Sequence, residues 1–124
     1  MGEKSMKLEI FEYRRKTVLK YQELFKKFAE RIIEEYKGKV SILLFGSRAR
    51  GDNRMSSDFD VLIILERGDL MNHYLRILKL KPLELPVDLV IIYPSDLKKP
   101  IIRKMIRESK IIYDGLKILN QRSS

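Results

Sequence analysis

Two short apolar runs, Val40–Phe45 and Val61–Leu65, lie on either side of a loop crowded with glycine, arginine and aspartate. Gly46 ends the first run, and Glu66, Arg67, Gly68 and Asp69 stop the second, so both read as buried strands. A third run, Val87–Tyr93, is bounded by Pro86 and Pro94. Three such strands need helices to cover them, and the intervening segments supply helical patterns.

From about Leu8 to Lys37 no proline or glycine occurs, and Val18, Tyr21, Phe25, Phe28, Ile32 and Tyr36 recur at steps of three and four. That spacing predicts a long amphipathic helix which Gly38 terminates. Leu70, Tyr74, Ile77 and Leu78 mark a second helix, ended by Pro82. Ser95 or Asp96 caps a third, carrying Leu97, Ile101, Ile102, Met105 and Ile106, with Pro100 in its first turn. Ile111–Tyr113 reads as a final short strand before a turn at Asp114-Gly115. Strands alternating with helices predict an α/β layered domain, and 124 residues without an internal linker predict a single one.

Composition narrows the chemistry. The chain has no cysteine and one histidine, His73, so thiolate metal sites are excluded and any metal must take oxygen ligands. Its N-terminus is charged from Glu3 onward and no apolar run approaches the ~20 residues of a membrane span, which predicts a cytoplasmic protein without a membrane partner. The net charge of +9 is uneven: residues 38–94 carry 8 Lys/Arg against 7 Asp/Glu, whereas residues 95–124 carry 8 against 3. Such a surface suits nucleotide phosphates, nucleic acid or an acidic protein, or is simply a solvated helix face.

Asp58 and Asp60 open the second strand run, and residues two apart on a strand project to the same side, roughly 6.5 to 7 Å apart. Asp88 interrupts the third run among Leu85, Val87, Leu89 and Val90. If these strands are neighbours, three acids converge. Two unit charges about 4 Å apart repel by about 4 kcal/mol at an effective dielectric of 20, so a cluster of this kind calls for a cation. Mg²⁺ suits it, because it binds carboxylate oxygens while keeping places for water and substrate phosphate.

Between the strands, Gly46-Ser47 follows directly on the first run, with Arg48, Arg50 and Gly51 close behind. Glycine lets backbone approach a ligand, free amides and the Ser47 hydroxyl can hold an anion, and guanidinium groups fit phosphate oxygens. Neither a Walker loop nor a GxGxxG fingerprint is present. Arginines for phosphates and aspartates for metal together match a Mg-nucleoside triphosphate, a ligand that itself carries both signs.

On these residues the chain resembles the polymerase β-like nucleotidyltransferase superfamily, whose pattern is an apolar strand, Gly-Ser, about ten residues, Asp-x-Asp, and a third acid on a later strand. Within it the stretch "GSRARGDNRMSSDFD" is most similar to the minimal nucleotidyltransferases, the antitoxin components of HEPN/MNT toxin-antitoxin pairs. The resemblance covers about Val40 to Tyr113 and implies a small mixed β-sheet flanked by helices. It divides the chain into a helical extension over 1–37, a catalytic core over 38–114 and a tail over 115–124. The long first helix departs from the minimal pattern.

The implied chemistry is Mg-dependent transfer of AMP from ATP to a hydroxyl of a macromolecular acceptor. By resemblance, Asp58 and Asp60 ligate two Mg²⁺ ions, Asp88 holds the catalytic one near the acceptor, and Gly46, Ser47, Arg48 and Arg50 hold the triphosphate. The resemblance names a tyrosine of a HEPN ribonuclease toxin as the acceptor. Alternatives are an antitoxin acting by contact alone and an RNA-end nucleotidyltransferase, which would make nucleic acid the partner. A homo-oligomer is compatible with each.

Overall fold

A computed structural model describes residues 2–46 and 58–119, with side chains from residue 8 onward. Its elements are α1 (Gly2–Glu35), β1 (Ser41–Phe45), β2 (Phe59–Ile64), α2 (Leu70–Leu80), β3 (Val87–Ile92), a 3₁₀ turn (Pro94–Lys98), α3 (Pro100–Arg107) and β4 (Lys110–Asp114). The strands form one mixed sheet in the order β3-β2-β1-β4. β1 runs antiparallel to both of its neighbours, β2 and β4. β2 and β3 are parallel, which requires a crossover, and α2 supplies it.

Alternation along the strands sends side chains into two layers. Ile42, Leu44, Phe59, Val61, Ile63 and Leu89 pack with Phe25, Phe28, Ala29 and Ile32 of α1 and Ile77 of α2. Leu43, Leu62, Ile64 and Ile92 face the other way, against Ile102 and Ile106 of α3 and Leu119. Burial on both faces is why these strands read as continuous apolar runs rather than as alternating ones. Each fully buried side chain, such as Phe28 or Leu62, contributes about 1.5–3 kcal/mol.

The helix boundaries follow local chemistry. α1 ends where Lys37 and Gly38 turn to φ +53° and +81° and the Gly38 amide donates to the Ile33 carbonyl. Asp69 caps α2, its carboxylate accepting from the Asn72 amide at 3.0 Å. One expectation needs correction: the segment from Ser95 to Ile106 is not one helix. Pro100 has no N–H to continue a ladder and pushes Lys99 into extended backbone at φ −70° and ψ 131°. The chain therefore makes a 3₁₀ turn, breaks, and starts α3 at the proline. Asp96 closes that turn by accepting from the Tyr93 amide at 3.0 Å and pairing with Lys99 at 2.8 Å.

His73, to which the sequence assigns no chemistry, fastens α2 to its surroundings. A carbonyl can only accept, so His73 Nε2–H donates to the Arg67 carbonyl at 2.8 Å, and Nδ1 shares a hydrogen bond with the Tyr36 hydroxyl at 2.8 Å. Arg76 lies over the Tyr36 ring at 5.7 Å. Gly68, at φ +121°, is required here, because a Cβ would stand 2.3 Å from His73 Nε2. Among the described residues, no helix is long and apolar enough to cross a membrane.

Candidate active site

Phe59 determines where the neighbouring acids go. It is buried on the α1 side of the sheet, stacked on Phe25 with ring centroids 5.1 Å apart and planes 9° from parallel. Its strand neighbours must then point to the opposite side. Asp60 and Asp88 accordingly fall in the α3-side layer, where Phe45 and Val90 are partly buried. Asp58, two residues before Asp60, has the same parity and is exposed.

The sheet register brings two of the acids side by side. Asp60 on β2 is directly paired with Asp88 on β3, and Phe45, the last residue of β1, is paired with Asp60. Parallel neighbours lie about 4.8 Å apart, so the two aspartates leave adjacent strands in the same direction. Asp60 is half-buried, whereas Asp58 and Asp88 are exposed. Burial, then the charge of Asp88, then that of Asp58 pushes the Asp60 carboxyl above its ordinary 3.8. Among the described residues no cation is paired with any of the three.

Gly46 meets this cluster from β1. It has φ +78°, and a Cβ built on it would lie 2.1 Å from Asp60 Oδ2. The glycine after the first strand is thus needed twice over, for its backbone conformation and for the space that the carboxylate occupies. Ser47, Arg48 and Arg50, assigned to the triphosphate, lie outside the described residues, as does Gly51.

Oxygen ligands that repel one another at one sheet edge form a donor set that fits a hard divalent cation. Asp60 is the central member, coupled to both of the others. Among the described residues, however, no group of three acidic or imidazole side chains is gathered closely enough to hold an ion as it stands. Asp58 and Asp88 are both exposed. None of the acids lines the cleft of about 400 Å³ between α3 and the segment after β4, whose walls include Leu97, Arg103, Arg107 and Ile118.

The family described as "Nucleotidyltransferase domain" matches residues 25–113, which span both acid-bearing strands and Gly46. The chain belongs to the nucleotidyltransferase domain family. Two Methanocaldococcus jannaschii proteins, each described as a "putative protein adenylyltransferase", are similar to this nucleotidyltransferase. One is 32% identical over 100 residues and the other 35% over 102, each match covering 77% of this chain and 97% of the relative. A crystal structure titled as a putative nucleotidyltransferase from Sulfolobus solfataricus shares the fold, with a TM-score of 0.62 and 17% identity, covering 84% of this chain and 89% of that one.

The nucleotidyltransferase thus has the expected α/β architecture, with its mixed four-stranded sheet and long first helix. Of the residues predicted from sequence, Gly46, Asp58, Asp60 and Asp88 stand at one edge of the sheet. Sequence reasoning did not single out Phe59, although a large aromatic between two carboxylates was the available signal.

Proposed function

We propose that this nucleotidyltransferase moves AMP from ATP to a hydroxyl of a macromolecular acceptor, a tyrosine of a HEPN ribonuclease toxin, and that it is thereby an antitoxin. The observation that carries the site is the in-register pairing of Asp60 with Asp88, with Asp58 on the same side and Gly46 seated against Asp60. The described names of the archaeal relatives support a protein as the acceptor.

In the reaction the acceptor oxygen attacks the α phosphorus of ATP. A new P–O bond forms, the bond to the β phosphate breaks, pyrophosphate leaves and the hydroxyl proton is released. Asp58, Asp60 and Asp88 would hold Mg²⁺, two ions in the form this chemistry commonly takes, and the metal supplies charge neutralisation for the phosphates. Asp88, exposed on β3, is open to an incoming acceptor and takes its proton. Gly46 keeps backbone close to Asp60, and Ser47, Arg48 and Arg50 would hold the phosphates. Most of the rate gain then comes from positioning and charge stabilisation rather than covalent chemistry.

The test is to incubate the protein with ATP, Mg²⁺ and a purified HEPN protein and weigh the product. The proposal expects the HEPN protein to gain the mass of AMP with the intact chain and none with Asp58→Asn. Equal gain with both would contradict it. A second reading, RNA-end transfer, draws on the exposed basic side chains of α3, Arg103, Lys104 and Arg107. Label from α-phosphate-labelled ATP appearing on RNA, with binding that weakens steeply with salt, would favour it.

A further inference from the structure

Among the described residues, nothing buries the apolar side chains Leu8, Ile10 and Phe11 in the first half of α1. In its second half Phe25, Phe28, Ala29 and Ile32 enter the core, with Tyr21, Leu24 and Ile33 beside them. Farther toward the N-terminus the domain ends at the turn holding Glu84, which pairs with Lys20. Beyond it Leu8, Phe11 and Leu19 remain 63%, 66% and 50% exposed. The family match begins at residue 25, so this overhang lies outside the nucleotidyltransferase domain.

At 100° per residue Leu8, Phe11, Val18 and Leu19 fall within one stripe, and Phe11, Arg14, Arg15, Val18, Leu19 and Gln22 line a groove of about 380 Å³. The charged residues of the groove are both arginines. At 100° per residue Glu12 and Glu23 border the stripe beside Leu19, and Glu9 lies farther round the helix.

We propose that this stripe is a docking surface for an acidic amphipathic helix of another protein. The occupant is chosen by charge. A second copy laid parallel and in register along the groove would set Arg14 and Arg15 against the same residues of its partner, whereas glutamates or aspartates flanking an apolar helix would pair with them. The aliphatic members, Leu8, Val18 and Leu19, suit the side chains of a helix at steps of three and four. The proposal rests on α1 alone and stands apart from the transfer chemistry.

Two labelled helical peptides with one leucine stripe, carrying glutamate or lysine at the remaining positions, test it by fluorescence anisotropy with the full chain. The glutamate peptide is expected to bind at least about tenfold tighter. Arg14→Glu with Arg15→Glu should reverse that order, and Phe11→Gln should weaken glutamate-peptide binding by about tenfold or more, with ATP binding unchanged in each. Equal affinities, or no binding of either peptide, would overturn the proposal. So would self-association by sedimentation that Phe11→Gln abolishes, or tighter binding of an RNA oligonucleotide lost in the same variants.

Discussion

The Oδ2 atom of Asp60 occupies the space that a side chain on Gly46 would fill, 2.1 Å from the position of its Cβ. Two strands thereby share one space: a side chain at residue 46 at the end of β1 displaces the carboxylate that β2 carries. Gly46→Ala must move the carboxylate and also hold alanine at φ +78°, which costs about 1–2 kcal/mol. The expected outcome is a modest fall in melting temperature with a loss of transfer activity of about 100-fold or more, because a displaced catalytic group costs more in rate than in stability. Calorimetry beside a transfer assay checks it.

Asp60 is held against its own stability. Its carboxyl lies above the ordinary 3.8 through burial and the repulsion of Asp88 and Asp58. A group whose folded pKa is raised favours folding while it is protonated and loses that contribution as pH rises through the folded value. Without ligand, Asp60→Asn should therefore melt at a higher temperature than the intact chain at pH 7, the gap closing as pH falls through the raised folded value toward 3.8. Thermal melts across pH measure this. A lower melting temperature for the asparagine variant at neutral pH would show that the carboxylate is stabilised by its surroundings.

Phe59 links the core to the site. Phe59→Ala removes a buried ring stacked on Phe25 and should cost about 3–5 kcal/mol in urea unfolding. Phe59→Leu should cost less and retain more activity, since an apolar anchor still forces Asp58 and Asp60 to the far side.

The opposite end of the sheet separates stability from catalysis. Ser41 is buried, and its hydroxyl donates to Asp114 Oδ1 at 2.7 Å. Ser41→Ala leaves that carboxylate without one donor and should lower stability by about 1–3 kcal/mol. Ser41 and Phe45 are at opposite ends of β1, so kcat of the folded variant should be unchanged.

Much of this was legible in the residues because the relevant signals are local. Apolar runs closed by Gly46 and by Pro86 and Pro94 mark strands whichever partners they find, and aspartates two apart share a side on any strand. The alignment of Asp88 with Asp60 is different in kind, for it depends on the parallel register of β2 and β3. The break at Lys99 was hidden because Pro100 is equally acceptable in a first helical turn and just after a shorter turn has ended. The link from Tyr36 through His73 to the Arg67 carbonyl joins residues far apart in sequence, and no periodicity encodes it. The apolar spacing of α1 is visible in sequence, but which of its turns meet the domain depends on where Glu84 lies.

Diffraction at the manganese absorption edge, from crystals grown with Mn²⁺ and a non-hydrolysable ATP analogue, tests the shared metal site most directly. The expected result is manganese bonded to oxygens of both Asp60 and Asp88, with Asp58 and the phosphates completing the shell. Manganese held by the phosphates alone, with Asp88 turned to solvent, would contradict it.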